Sequence, residues 1–208
     1  MTDAATDIPQ LYLLSPERFE VDAFADRLAR VLDAEEIACL RLTLPGDDEA
    51  AARRAADRLR DVAHARDVAV VVTDHLRLVE PHGLDGVHLS DGARQVRDAR
   101  KALGAERIVG AFCGNSRHAG MTAGEIGADY IAFGPVSAGL MGDGAVAEPD
   151  LFQWWGQMIE VPQVAEGGLT PELCDALAPH VEFFGIGAEI WSADNPVGAL
   201  RALRGGAV

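Results

Sequence analysis

The chain is most informative in what it has little of. No apolar run approaches the length of a membrane-spanning helix, and residues 1–9 are acidic with no signal-peptide pattern. Cysteine is scarce. Cys39, Cys113 and Cys174 are odd in number and widely spaced, which argues against a disulfide framework or a zinc site. Reduced thiols and a cytoplasmic location are the expectation. Positive charge is short as well: 18 Lys and Arg stand against 33 Asp and Glu, a net −15. That balance argues against nucleic-acid or anionic-membrane partners. An anionic ligand would have to be held by local dipoles or a metal, because the overall field repels it. Linkers and composition breaks are absent, and no G-x-G-x-x-G follows the first apolar run.

What is present is a core-forming chain. It has 208 residues and is 49% hydrophobic, with mean hydropathy +0.05, enough for one large domain spanning 1–208. Short apolar runs read as strands at 11–14, 37–42, 68–72, 84–89, 107–111, 130–133, 161–166 and 182–186. The run at 68–72 is β-branched and apolar throughout, so it is expected to be covered on both faces. Helical patterns follow at 22–32, 48–65, 75–80, 93–103, 115–126, 148–158, 171–178 and 196–203. Residues 137–147 are glycine-rich, lack periodicity and read as a mobile loop. Eight strands alternating with eight helical segments require parallel strands and right-handed crossovers. The count favours an α/β (β/α)8 TIM barrel over a doubly wound open sheet.

That fold puts chemistry at the C-terminal strand ends. The most telling stretch is Val161-Pro162-Gln163-Val164-Ala165-Glu166-Gly167-Gly168-Leu169-Thr170-Pro171-Glu172. A strand ends in two glycines, and a helix starts with a cap, a first-turn proline and an acid. Gly167 and Gly168 can turn N–H groups outward as an anion cradle, though glycines there can also serve only a tight turn. Gly187 and Ala188 end the eighth strand, and the seventh and eighth loops are where barrels commonly hold phosphate. Thr73, His75 and Gly134 stand at other strand ends. Asp74 and Asp91 are hard oxygen donors suited to Mg²⁺ shared with substrate phosphates, while a helix cap is the plain alternative for Asp74. Arg41 would be costly unpartnered in a barrel mouth. It must pair with a carboxylate such as Asp74 or reach an anion. His88 lies in an apolar strand, where a core histidine with a satisfied hydrogen bond is the commoner role. Glu166 could be a general base, a metal ligand or a partner for Arg41. Trp154-Trp155 suits a core or an interface, and a homodimer stays open.

Three runs carry a family resemblance: Gly86-Val87-His88-Leu89, Gly127-Ala128-Asp129-Tyr130-Ile131-Ala132-Phe133-Gly134-Pro135-Val136, and residues 161–169 with their glycine pair. In order and spacing they resemble the thiamine phosphate synthase family, which also contains thiazole tautomerases. The resemblance extends over most of the chain and implies a (β/α)8 barrel. It also implies an enzyme that joins hydroxymethylpyrimidine pyrophosphate to thiazole phosphate and releases Mg-bound pyrophosphate. By position, Arg41 matches an arginine that contacts pyrophosphate and Asp74 matches a magnesium ligand. Gly167, Gly168, Gly187 and Ala188 match the backbone cradle of the thiazole phosphate.

The chain also departs from the pattern. Thr43 stands where the family has lysine, and Thr73-Asp74-His75 replaces Asn-Asp-Arg. Ser90-Asp91-Gly92-Ala93 displaces or deletes the second metal ligand. Residues 137–141 replace a Thr-x-Thr-Lys loop, Phe112-Cys113 replaces a serine–threonine pair, and Glu166 replaces isoleucine. Most cationic pyrophosphate contacts are lost, while the monophosphate cradle survives in outline. Three readings follow: a divergent synthase acting on phosphorylated small molecules, a tautomerase-like enzyme using His88 or Glu166 for proton transfer, and a non-catalytic binder of a phosphorylated metabolite. Pro135 fills the place of the tautomerase histidine, which counts against the second.

Overall fold

A computed structural model describes residues 8–44, 48–138 and 145–205. Eight parallel strands close into one ring, each pairing with its neighbours in sequence and the last with the first. They are β1 (Gln10–Leu14), β2 (Ile37–Leu42), β3 (Ala69–Thr73), β4 (Gly86–Leu89), β5 (Ile108–Phe112), β6 (Tyr130–Phe133), β7 (Gln163–Glu166) and β8 (Phe183–Ile186). The helices are α1 (Val21–Ala34), α2 (Glu49–His64), α3 (Val96–Leu103), α4 (Arg117–Glu125), α5 (Pro149–Met158), α6 (Pro171–Leu177), α7 (Ala188–Trp191) and α8 (Pro196–Leu203). None of the described helices is long and apolar enough to cross a membrane.

Local chemistry starts these helices where the chain needs them. Asp48, Ser116, Thr170 and Asn195 accept from amides of the first turns they precede. Pro149, Pro171 and Pro196 occupy first-turn positions, where their missing N–H costs nothing.

The strands bury both faces, as their apolar runs require. Outward residues such as Leu13, Leu40, Leu42, Val70 and Val87 pack with helix residues including Leu28, Val31 and Leu59. Inward residues form a second, smaller cluster of Tyr12, Cys39, Val71, Tyr130, Ala132 and Val164. Two backbone positions make that interior possible. A Cβ at Gly110 would lie 2.0 Å from the Tyr130 ring, and one at Gly185 would lie 2.8 Å from Cβ of Glu166.

Two elements differ from the sequence reading. The helix expected at 75–80 is a single 3-10 turn, Leu76–Leu78. Pro81 disfavours helical geometry at Glu80 and stops the run early. After β8 an extra one-turn helix, α7, precedes α8. In the loop 137–147, positions 139–144 lie outside the described residues.

Gly110→Ala is expected to lower stability by about 1–3 kcal/mol, because the added methyl overlaps the Tyr130 ring. Urea unfolding checks this, and an unchanged midpoint would mean the ring has room to move.

Candidate active site

The sheet register delivers five polar side chains from five strands into the barrel interior. Arg41 sits on β2, His88 on β4, Tyr130 on β6, Glu166 on β7 and Tyr12 on β1. Arg41 is 8% exposed and Glu166 8%, and they form a two-pronged ion pair. The guanidinium donates to Oε2 of Glu166 at 2.8 Å and to Oε1 at 3.0 Å. Fork-on-fork pairing is the strongest form such a contact takes. The same Arg41 Nη1 lies 2.8 Å from Nε2 of His88. Arginine can only donate, so Nε2 accepts and Nδ1 carries the proton. Nδ1 then donates to the Tyr130 hydroxyl at 2.8 Å, which in turn meets the Tyr12 hydroxyl at 2.6 Å.

The electrostatics fit this arrangement. Burial, reinforced by the Arg41 charge, pushes the His88 imidazole well below its usual range, so it is neutral. Burial opposes the charge on Arg41, but attraction to Glu166 prevails and its pKa rises. Burial raises both tyrosines above their ordinary value. Arg41 thus pairs with Glu166, and Asp74 is not its partner. His88, a candidate catalytic group on sequence grounds, is 2% exposed and lies under Arg41 without bordering the cavity at the strand ends.

A cavity of about 820 Å³ opens at the strand C-termini between β1, β2, β7 and β8. Arg41, Thr43, Glu166, Gly167, Gly187 and Ala188 border it. The segment 15–20 and α1 wall its far side. Gly167 and Gly168 hold φ +84° and +85°, a left-handed pair that aims successive N–H groups at one point. That point is filled by the protein itself. Glu189, in α7, accepts from Gly168 N–H at 2.9 Å and Leu169 N–H at 3.3 Å through Oε1. It accepts from Gly187 N–H at 2.8 Å through Oε2.

The remaining candidates lie apart from this cavity. Thr73, Asp74, His75, Asp91, Gly134 and Gly168 do not line it. Asp74 does not cap the following turn. With φ +56°, it accepts from Ser90 N–H at 2.9 Å and also from the Ser90 hydroxyl, clasping the next strand end. Asp91 accepts from Gln95 through Oδ2, while its Oδ1 is buried without a partner. Hard oxygens on neighbouring strand ends, one of them orphaned, fit Mg²⁺ when ligand phosphates complete the set. Among the described residues no three His, Cys, Asp or Glu side chains gather closely enough to hold a metal alone. Sequence reasoning missed Tyr12, Tyr130 and Glu189. The tyrosine hydroxyls in apolar strands were a signal for the first two. For Glu189 the signal was an acid two positions past the Gly187 turn.

With the geometry in place, comparison with known proteins adds a lineage. A family model described as thiamine monophosphate synthase matches residues 11–188. Thiamine-phosphate synthase of Rhodospirillum centenum is 40% identical over 196 residues, which is 93% of this chain and 94% of that protein. The Erythrobacter litoralis thiamine-phosphate synthase is 39% identical over 199 residues, 92% and 93% of the two chains. Among solved structures, thiamine phosphate pyrophosphorylase from Pyrococcus furiosus superposes with a TM-score of 0.81 over 94% of each chain. At 19% identity, that likeness speaks to the fold.

Removing one partner of a buried ion pair strands the other charge, at a cost of about 3–5 kcal/mol. Glu166→Ile should therefore destabilise the chain by that order, and adding Arg41→Met should recover most of the loss. Chemical denaturation of the single and double variants checks this. Equal losses in both would place the cost elsewhere.

Proposed function

The chain belongs to the thiamine monophosphate synthase family, and from that premise we propose that it joins hydroxymethylpyrimidine pyrophosphate to thiazole phosphate. In this reaction the thiazole nitrogen forms a C–N bond to the pyrimidine methylene carbon. The carbon–oxygen bond to pyrophosphate breaks, and the electron pair leaves with it. Family membership is the observation that carries the reading. The cavity supports it: about 820 Å³ at the strand ends, bordered by Arg41 and by Gly167 and Gly187 of the seventh and eighth loops.

Each group then has a place. The amides of Gly168, Leu169 and Gly187 hold the thiazole phosphate. Arg41 faces the pyrophosphate while sharing its guanidinium with Glu166. His88, Tyr130 and Tyr12 are positioning residues, since they act through Arg41. Asp74 and Asp91 are the residues that would hold Mg²⁺ together with substrate phosphates. When bound, the cation neutralises charge developing on the leaving pyrophosphate. Three buried free thiols, each pushed up to about 12 by burial, suit a reducing cytoplasm.

A second reading is favoured by one specific observation. Both anion-binding features, Arg41 and the amide cradle, already hold carboxylates, Glu166 and Glu189. A non-catalytic barrel that binds a phosphorylated metabolite would tolerate this. One incubation with both substrates and Mg²⁺, followed for thiamine phosphate, separates the two readings when run beside calorimetry of each substrate alone. Product supports the synthase, and binding without turnover supports the second reading.

For the synthase, Asp74→Asn is expected to remove most of the magnesium dependence of turnover. A magnesium titration of the variant that matches the parent's would take Asp74 out of the metal set.

A further inference from the structure

We propose that Glu189 is an internal stand-in for the ligand's phosphate, and that its departure from the amide cradle admits phosphorylated ligands. The inference rests on the ligand class argued above and adds the residue that governs entry to the subsite. Three backbone N–H groups from two loops converge on one carboxylate, with two donors to Oε1 and one to Oε2. Left empty, those donors would lack partners in a partly buried site, at a cost in free energy. Glu189 satisfies them in the absence of ligand and ties the seventh loop to the eighth.

The arrangement is displaceable. Glu189 borders the cavity and is half-buried, and among the described residues its carboxylate hydrogen-bonds only these amides. Rotation of that side chain exposes all three donors with no backbone movement. A Cβ at Gly187 would lie 3.1 Å from Cβ of Leu14, so a larger residue there would crowd β1. Arg18 borders the same cavity and makes no hydrogen bond or ion pair among the described residues. It offers a cation to the freed carboxylate or to the incoming anion.

Competition from a tethered carboxylate lowers apparent phosphate affinity by the fraction of time the cradle is open. A ligand without an anionic group cannot take over the amides, so Glu189 also selects against the uncharged, unphosphorylated form.

The test uses the full chain and inorganic phosphate at fixed ionic strength, with binding read by calorimetry. Glu189→Ala is expected to tighten phosphate binding by about tenfold or more. Glu189→Gln, which removes the charge but keeps the bulk, should give an intermediate gain. A folded Glu189→Ala chain with unchanged or weaker phosphate affinity overturns the proposal. Should that variant not fold, the parent protein still decides the matter. Saturating phosphate should shift the Gly168, Leu169 and Gly187 amide resonances, and their indifference overturns the proposal. Tightening supports it even where no thiamine phosphate forms, in which case only the synthase reading falls.

Discussion

A guanidinium inside a ring of strands imposes the strongest demand in this molecule. Arg41 is nearly sealed from water, and its charge persists because Glu166 meets it with both oxygens. Much follows from that pair. It requires inward register at β2 and β7. It requires Gly185 on the neighbouring strand, where any Cβ would press on Glu166. It fixes which nitrogen of His88 carries the proton, and through His88 it orients Tyr130. Gly110 in turn leaves the space that the Tyr130 ring fills. The interior of the barrel is therefore apolar below and a hydrogen-bonded polar ladder above, in which Nε of Arg41 is left without a partner, with the ladder ending at the cavity.

The two acids at the mouth play parallel parts. Glu166 neutralises the cation that could meet a diphosphate, and Glu189 fills the amides that could meet a monophosphate. Neither leaves a bare positive site in a chain of net charge −15. Anion recognition here is an exchange of partners. Its energetics are set by how easily each carboxylate gives up its donors.

The barrel was legible because it rests on patterns that local sequence carries. Apolar runs, caps and first-turn prolines recur in alternation, and the structure closes them into the expected ring. The miss at 75–80 was a boundary effect of Pro81. The candidate site was legible only in part. That Arg41 needs an acid follows from the cost of burying its charge, and Glu166 at a strand end is one that can reach it. Asp74 could not serve, because its left-handed backbone turns its carboxylate onto Ser90. Glu189 was opaque for a different reason. It lies 21 positions from Gly168, and the pairing of β7 with β8 is what brings the two loops together. The acid two positions past the Gly187 turn was visible, but no local pattern shows that it also meets the amides of the preceding loop.

The cavity straddles the seam where β8 meets β1, the last-made strand joined to the first. Residues from the opening stretch of the chain and from its final fifth must both be in place before the pocket exists. During synthesis, then, the pocket is finished only after the eighth strand and the turn that follows it have been made. A ligand held there would act as a clasp across the join, resisting any local parting of the ring at the place where chain connectivity does nothing to prevent it.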